Sequence, residues 1–283
     1  MTPYLNRPAN RHANSLLWIF GFLGLLLLLD LVLPIANLFF TSNWTAASAA
    51  LRQPEALQAL KVSLHSSGIA ILTMTLLGVP LGYLLARAKL PFQRFWIALV
   101  FLPMVVPDLA GGILLLRLFG PYGPIGHPFD ARNIALTNNL FGIVLVQMFV
   151  SAPFVVASSL AGFSSVDSEL ESAAGTLGDS AWQVFCRVSL PLAWPGIFIG
   201  IILAWIRALG EFGATLVMAY NPHTLPVFLW VKFESEGLAG AQPIALCLVL
   251  LAVIAAGAAM NLNRFTGAAD VLAPVGKATK WEN

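Results

Sequence analysis

The chain has 283 residues, of which 58% are hydrophobic and only 10% charged, with a formal net charge of +2 and a mean hydropathy of +0.82. Soluble domains carry about 25% charged residues, and so apolar a chain cannot cover itself with a polar skin. A cytosolic enzyme, a disordered protein and a nucleic-acid binder are excluded, two cysteines exclude a disulfide scaffold, and an all-α polytopic membrane protein remains.

A membrane helix needs about 20 apolar residues. Six stretches qualify: Leu16–Phe40, Leu60–Ala86, Phe95–Leu118, Leu136–Phe163, Leu192–Tyr220 and Pro243–Asn263. The first is too long for the apolar part of a cleaved leader and has no small-x-small cleavage site. The runs are continuous rather than alternating, which excludes a transmembrane barrel. Asp30, in the first span, reads as structural or peripheral. The third span contains Pro103, Pro107, Gly111 and Gly112. Proline removes an amide donor and bends a helix, and broken backbone at this depth is tolerated where protein or water covers it. Pro103 and Pro107 therefore mark either an ordinary kink or part of a translocation path or gate. Asp108 follows at membrane depth, where it is protonated, caps the broken helix or lines a wet cavity. Arg117, near the outer end of the span, can snorkel to the interface. The fifth span carries Arg207 and Glu211, four apart and able to meet on one helical face. Gly210 and Gly213 beside them are packing or hinge points.

Basic residues near the spans set the orientation. With the amino terminus inside, the inner side holds nine (Arg7, Arg11, Arg87, Lys89, Arg94, Arg187, Arg264, Lys277, Lys280) and the outer side four (Arg52, Lys61, Arg132, Lys232). Both termini are thus expected in the cytoplasm, as segments 1–15 and 266–283 flanking a transmembrane domain at 16–265. Cys186 falls on the inner side and Cys247 in the outer half of the last span, too far apart to bridge; both should be free thiols.

The inner segment Ser164–Pro191 reads SSVDSELESAAGTLGDSAWQVFCRVSLP. Asp167 is a plausible N-cap, and Glu169 and Glu171 follow in the first turn, where the helix dipole favours acid. Leu170, Ala173, Ala174 and Leu177 recur at helical spacing. Gly178 suits a left-handed helix end. Asp179 or Ser180 can cap a second short helix with Trp182, Val184 and Phe185, which Leu190–Pro191 should stop. On periodicity alone this is either an interfacial linker or a knob facing the cytoplasm.

The same stretch resembles the signature E-A-A-x3-G-x9-I-x-L-P of type I ATP-binding-cassette importer permeases. Here it reads Ser172-Ala173-Ala174, then Gly178, then Val188-Ser189-Leu190-Pro191, with full spacing and with serine and valine at two variant positions. Arg207–Thr215 (RALGEFGAT), Leu102–Pro107 (LPMVVP), Phe119–Gly126 and Phe149–Phe154 resemble the molybdate, tungstate and sulfate permeases of that family, over about Leu60 to Phe265. The resemblance implies a coupling helix between the fourth and fifth of six spans. Ser172, Ala173, Ala174, Gly178, Trp182, Phe185, Leu190 and Pro191 would couple it to a separate ATPase. It further implies a homodimer, two ATP-binding subunits, an extracytoplasmic oxyanion-binding protein, and a place in the inner membrane. Cargo would be molybdate or tungstate, with sulfate or thiosulfate as the alternative. In this setting Arg207 and Glu211 are either a structural clip or a source of positive potential tempered by an acid.

No G-x4-G-K-[ST] run is present, so ATP and magnesium are expected on the partner subunit and no cofactor on this chain. No catalytic motif appears, and His12, His65, His127 and His223 lack ligand spacing; a transporter subunit is expected, not an enzyme. An ion-coupled secondary transporter is the rival class, but such folds usually show related halves, and no internal repeat stands out.

Overall fold

The computed structural model describes residues 11–265, with side chains placed from 16 to 257. Residues 1–10 and 266–283, and with them most of the two segments expected to be cytoplasmic, lie outside the described residues. The elements are α1 (Arg11–Thr41), α2 (Trp44–Leu51), α3 (Pro54–Arg87), α4 (Gln93–Val105), α5 (Asp108–Phe119), α6 (Gly126–Asp130), α7 (Leu140–Ser164), α8 (Ser168–Thr176), α9 (Ala181–Val184), a π-helical turn (Phe185–Ser189), α10 (Leu190–Leu209), α11 (Gly213–Met218) and α12 (Leu225–Phe265). The described residues hold no strand. Five helices among the described residues are long and apolar enough to cross a membrane, and the pair α4 and α5, bent by 110°, makes a sixth apolar element of span length.

α3, α7 and α10 form the centre. Ala70, Met74, Val155, Phe163, Ala193 and Ile197 are buried together there. The buried face of α3 is rich in Ser, Ala and Gly, the composition that lets helices approach closely in lipid, where packing rather than water exclusion drives association. α1 is exposed along most of its apolar length, Asp30 included, and its carboxyl-terminal part, from Pro34 to Thr41, lies beside α12.

Four expectations need correction. The third span is not a kinked rod: α4 and α5 meet at 110°. Pro103 sits inside α4 without breaking it, and Gly111 and Gly112 sit buried inside α5. The break falls at Val106–Pro107, because proline pushes its predecessor into extended conformation (Val106 ψ 125°). Second, Leu190–Pro191 does not stop a helix. The chain runs continuously from Ala181 to Leu209, because the wide π turn ahead of Pro191 bonds Leu190 N–H to the Phe185 carbonyl. Third, the last span is preceded by a helix of its own, ahead of Pro243, which the six apolar stretches do not include. α12 starts at Leu225 and is broken at Gly237 (φ 67°, ψ −157°), a conformation that favours glycine. Leu225 and Phe228 share a buried cluster with Ile244 and Cys247, so the chain doubles back at Gly237. Fourth, the fifth span, expected as Leu192–Tyr220 with Arg207 and Glu211 on one helix, ends as α10 at Leu209; Glu211 lies in a break before α11, its N–H bonded back to the Ala208 carbonyl. Cys186 is exposed, Cys247 is buried, and both are free.

Candidate functional site: a protruding knob and a charged junction

The knob follows from local capping. Asp167 accepts a hydrogen bond from Glu169 N–H (2.9 Å) and starts α8. Gly178 ends it with φ +102°. Ser180 and Gln183 form a capping box that starts α9. Arg187 and Asp179 close the turn with a 2.9 Å ion pair. Val184 turns inward, but several other apolar side chains of this element are left outward: Leu177 is 89% and Trp182 72% exposed, and Leu170 is exposed as well. Exposed apolar residues gathered on a protrusion suit a protein partner.

The residue that ties the knob to the spans is Glu171. Its carboxylate pairs with the Arg87 guanidinium at the end of α3 (Nε–Oε2 2.9 Å) and accepts the Ser189 hydroxyl at 2.6 Å. Arg87 also donates to the Val166 carbonyl (2.9 Å). Phe185 is held beside Tyr83 of α3 and Phe163 of α7, with centroids at 4.9 and 5.9 Å, and stacks on Trp182 at 5.5 Å. Ser172, the position matching the signature acid, only donates to the Ser168 carbonyl one turn back. Ala173 is exposed and Ala174 half-buried on the same helix, while Leu190 packs against the central core and Pro191 lies in the first turn of α10. Glu171 and Arg87 were not singled out as site residues. The hint available was an acid next to the variant serine and an arginine closing the second span.

The second cluster joins the elbow to α10. Arg207 spreads its two terminal nitrogens: Nη1 meets Glu211 Oε2 at 2.8 Å and Nη2 meets Asp108 Oδ1 at 2.7 Å. Glu211 is fully buried and its other oxygen accepts Ala214 N–H (2.8 Å). One arginine thus faces two carboxylates, and Asp108 is ion-paired. Pro103, Met104, Asp108, Val150, Phe154 and Arg207 line a cavity of about 90 Å³. Pro107 immediately precedes α5 as its cap. The α5–α11 contact is backbone-tight: a Cβ on Gly112 would lie 2.7 Å from the Ala214 carbonyl, and one on Gly213 would lie 2.9 Å from Asp108 Cβ. Gly210, by contrast, has φ −85° and ordinary space around it; the geometry asks nothing of glycine there. Among the described residues no three His, Cys, Asp or Glu side chains gather as metal ligands would.

Residues 78–266 match the family described as "Binding-protein-dependent transport system inner membrane component". The chain is 42% identical to the probable molybdenum ABC transporter permease protein of Haloferax volcanii, over 80% of this chain and 83% of that one. It is 37% identical to the molybdate/tungstate transport system permease protein of Thermococcus kodakarensis (84% and 92%). A probable sulfate transport system permease protein of Chlorokybus atmophyticus is 31% identical (79% and 80%). The fold matches a crystal structure of a bacterial ABC transporter involved in import of the acidic polysaccharide alginate, with TM-score 0.70 and 16% identity over 93% of this chain and 98% of that one. Knob, broken spans and family match agree: the chain belongs to the inner membrane components of binding-protein-dependent transport systems.

Proposed function

We propose that this chain is the permease of an ATP-binding-cassette importer whose cargo is molybdate or tungstate. In this reading two copies form the path, two ATP-binding subunits dock on the knobs, and an extracytoplasmic binding protein delivers the anion. ATP and magnesium act on the docked subunits.

The observation that carries the reading is the knob: an outward apolar surface (Leu177, Trp182) tied by Glu171 to the ends of α3 and α10. A partner that moves the knob moves the two central helices with it. That is the mechanical requirement for turning an external nucleotide cycle into a rigid-body switch between two packings. The Arg207 junction sits where the elbow, the bend between α4 and α5, meets α10, so it is placed to register the same switch. Because both of its terminal nitrogens are taken by carboxylates, it serves as a clip between elements rather than as a free positive charge.

The cargo rests on the named relatives: the molybdenum and molybdate/tungstate permeases stand closer in sequence than the sulfate permease. A path must release what it accepts, so it should hold a dianion weakly. Discrimination between oxyanions of one shape then belongs mainly to the binding protein.

The test is uptake of labelled molybdate into proteoliposomes holding the complete transporter, with its ATP-binding subunit and binding protein. Uptake that needs ATP, competes with tungstate and ignores sulfate is expected. Competition by sulfate alone would transfer the cargo to the sulfate class, and uptake by the chain without an ATP-binding subunit would overturn the importer reading.

A further inference from the structure

We infer that Arg117 and the cavity around it form the outer receiving site for the oxyanion. This rests on the oxyanion-importer reading and names a site within it.

An open cavity of about 960 Å³ lies at the carboxyl end of α5, and Arg117 supplies its single charged lining side chain. Arg117 is exposed and has no hydrogen-bond or ion-pair partner among the described residues. The acids nearest in sequence on either side, Asp108 and Asp130, do not line the space. The other polar lining groups are neutral and can donate hydrogen bonds: Tyr122, Thr137 and Asn138. Asn138 is held in place, with its N–H on the Met218 carbonyl (3.2 Å) and its Oδ1 accepting Tyr220 N–H (3.1 Å). Its side-chain amide protons are thereby left for a ligand.

The location fits a receiving site. Thr137 and Asn138 precede α7, whereas the knob follows its far end; the 25 residues of α7 span about 37 Å at 1.5 Å per residue. The cavity therefore opens on the membrane face opposite the knob, where a binding protein would unload. The same helix connects it inward, since α5 begins at Asp108 and carries Arg117 in its last turn.

Charge separates the two arginines. Arg207 is met by two carboxylates, whereas Arg117 stands uncompensated in an open mouth with largely apolar walls, an arrangement that focuses field and raises the local concentration of an anion. The space is much larger than one oxyanion, so the ion is held hydrated and loosely, as hand-over requires. The α5 dipole alone favours a base in its last turn, but it does not call for a cavity free of acids.

The experiment compares wild type, Arg117→Gln and Arg117→Lys in proteoliposomes holding the complete transporter, with docking of the binding protein measured in parallel. Molybdate uptake at saturating binding protein should fall about tenfold or more in Arg117→Gln, with docking and assembly unchanged, and Arg117→Lys should retain most of it. In addition, tungstate but not chloride at equal ionic strength should protect Arg117 of the wild-type transporter from a dicarbonyl reagent, read by mass spectrometry. Uptake by Arg117→Gln within twofold of wild type, a parallel loss of docking, or absence of protection would each overturn the inference. A wild-type transporter that imports no oxyanion would overturn the cargo reading itself, and is seen before any variant is made.

Discussion

Glu171 and Arg87, 84 positions apart, meet through two nitrogens of the guanidinium, and the same carboxylate takes the Ser189 hydroxyl. Three segments that the chain presents far apart thus share one acid: the end of α3, the knob, and the entry to α10. Both partners of the ion pair are mostly shielded, with side chains 22% and 15% exposed. Glu171→Ala should cost on the order of 2 kcal/mol, in the range for hydrogen bonds to charged groups. Ser172→Ala, one residue on, should stay within about 0.5 kcal/mol. Thermal unfolding of the detergent-solubilised protein reads the ranking. In the assembled transporter, Glu171→Ala should also lower ATP-driven uptake more than ATP hydrolysis, because the knob is docked but no longer tied to the spans.

Gly178 gives a prediction about conformation without crowding. Its φ is +102° and a Cβ there would meet nothing within 4 Å. Gly178→Ala should therefore be disfavoured by backbone strain alone, roughly 1–2 kcal/mol, and Gly178→Val by more, since branching at Cβ narrows the backbone further. Equal effects of Ala and Val on knob stability and on ATPase docking would contradict this account.

The sequence made local devices legible and long-range ones not. Asp167, Gly178 and Ser180 could be read because capping acts within three residues, and Arg207–Glu211 because the two lie only four residues apart, although α10 ends at Leu209 and Glu211 stands in the break beyond it. Arg207–Asp108 spans 99 positions and Glu171–Arg87 spans 84; neither spacing carries a periodic signal. Pro107 announced that the third span breaks, but the 110° angle is set by α5 lying on α11 at Gly112 and Gly213. The doubling back at Gly237 was hidden for a related reason: a single glycine after Glu234-Ser235-Glu236 marks a turn without saying what packs on either side.

That α5–α11 contact is directly testable. A methyl at Gly112 would strike the Ala214 carbonyl and Cα at 2.7 and 2.8 Å, atoms of backbone that cannot swing aside. Gly112→Ala should cost about 1–3 kcal/mol as overpacking and should move the elbow away from α10, lengthening Arg207–Asp108. A lowered thermal midpoint together with reduced uptake is expected; unchanged values for both would show that the elbow tolerates a looser seat.

Within the charged junction the two acids differ in burial, and that fixes an order of effects. Glu211 has no exposed side-chain surface, whereas the Asp108 side chain is 45% exposed. Arg207→Ala leaves a buried carboxylate without its counter-charge and should cost about 3–5 kcal/mol. Asp108→Ala removes a partner that water can replace, and should cost about 1 kcal/mol or less. The double variant Arg207→Ala/Glu211→Gln should recover much of the loss, since the uncompensated charge is gone. If Asp108→Ala proved as damaging as Arg207→Ala, burial would not be what governs the junction.

Leu177 and Trp182 separate docking from folding. Leu177 is 89% exposed and touches little of its own chain, so Leu177→Asp should leave the thermal midpoint of the isolated permease unchanged. In the apolar contact we propose with the ATP-binding subunit, the same carboxylate would be buried without a partner, which is strongly disfavoured. Copurification of the ATP-binding subunit should therefore fall at least tenfold, with ATP-driven uptake lost in parallel. Trp182→Ala should act in the same direction, with a small destabilisation of its own because the ring also stacks on Phe185. Full copurification by Leu177→Asp would mean that the exposed tip of the knob is not the surface that the motor grips.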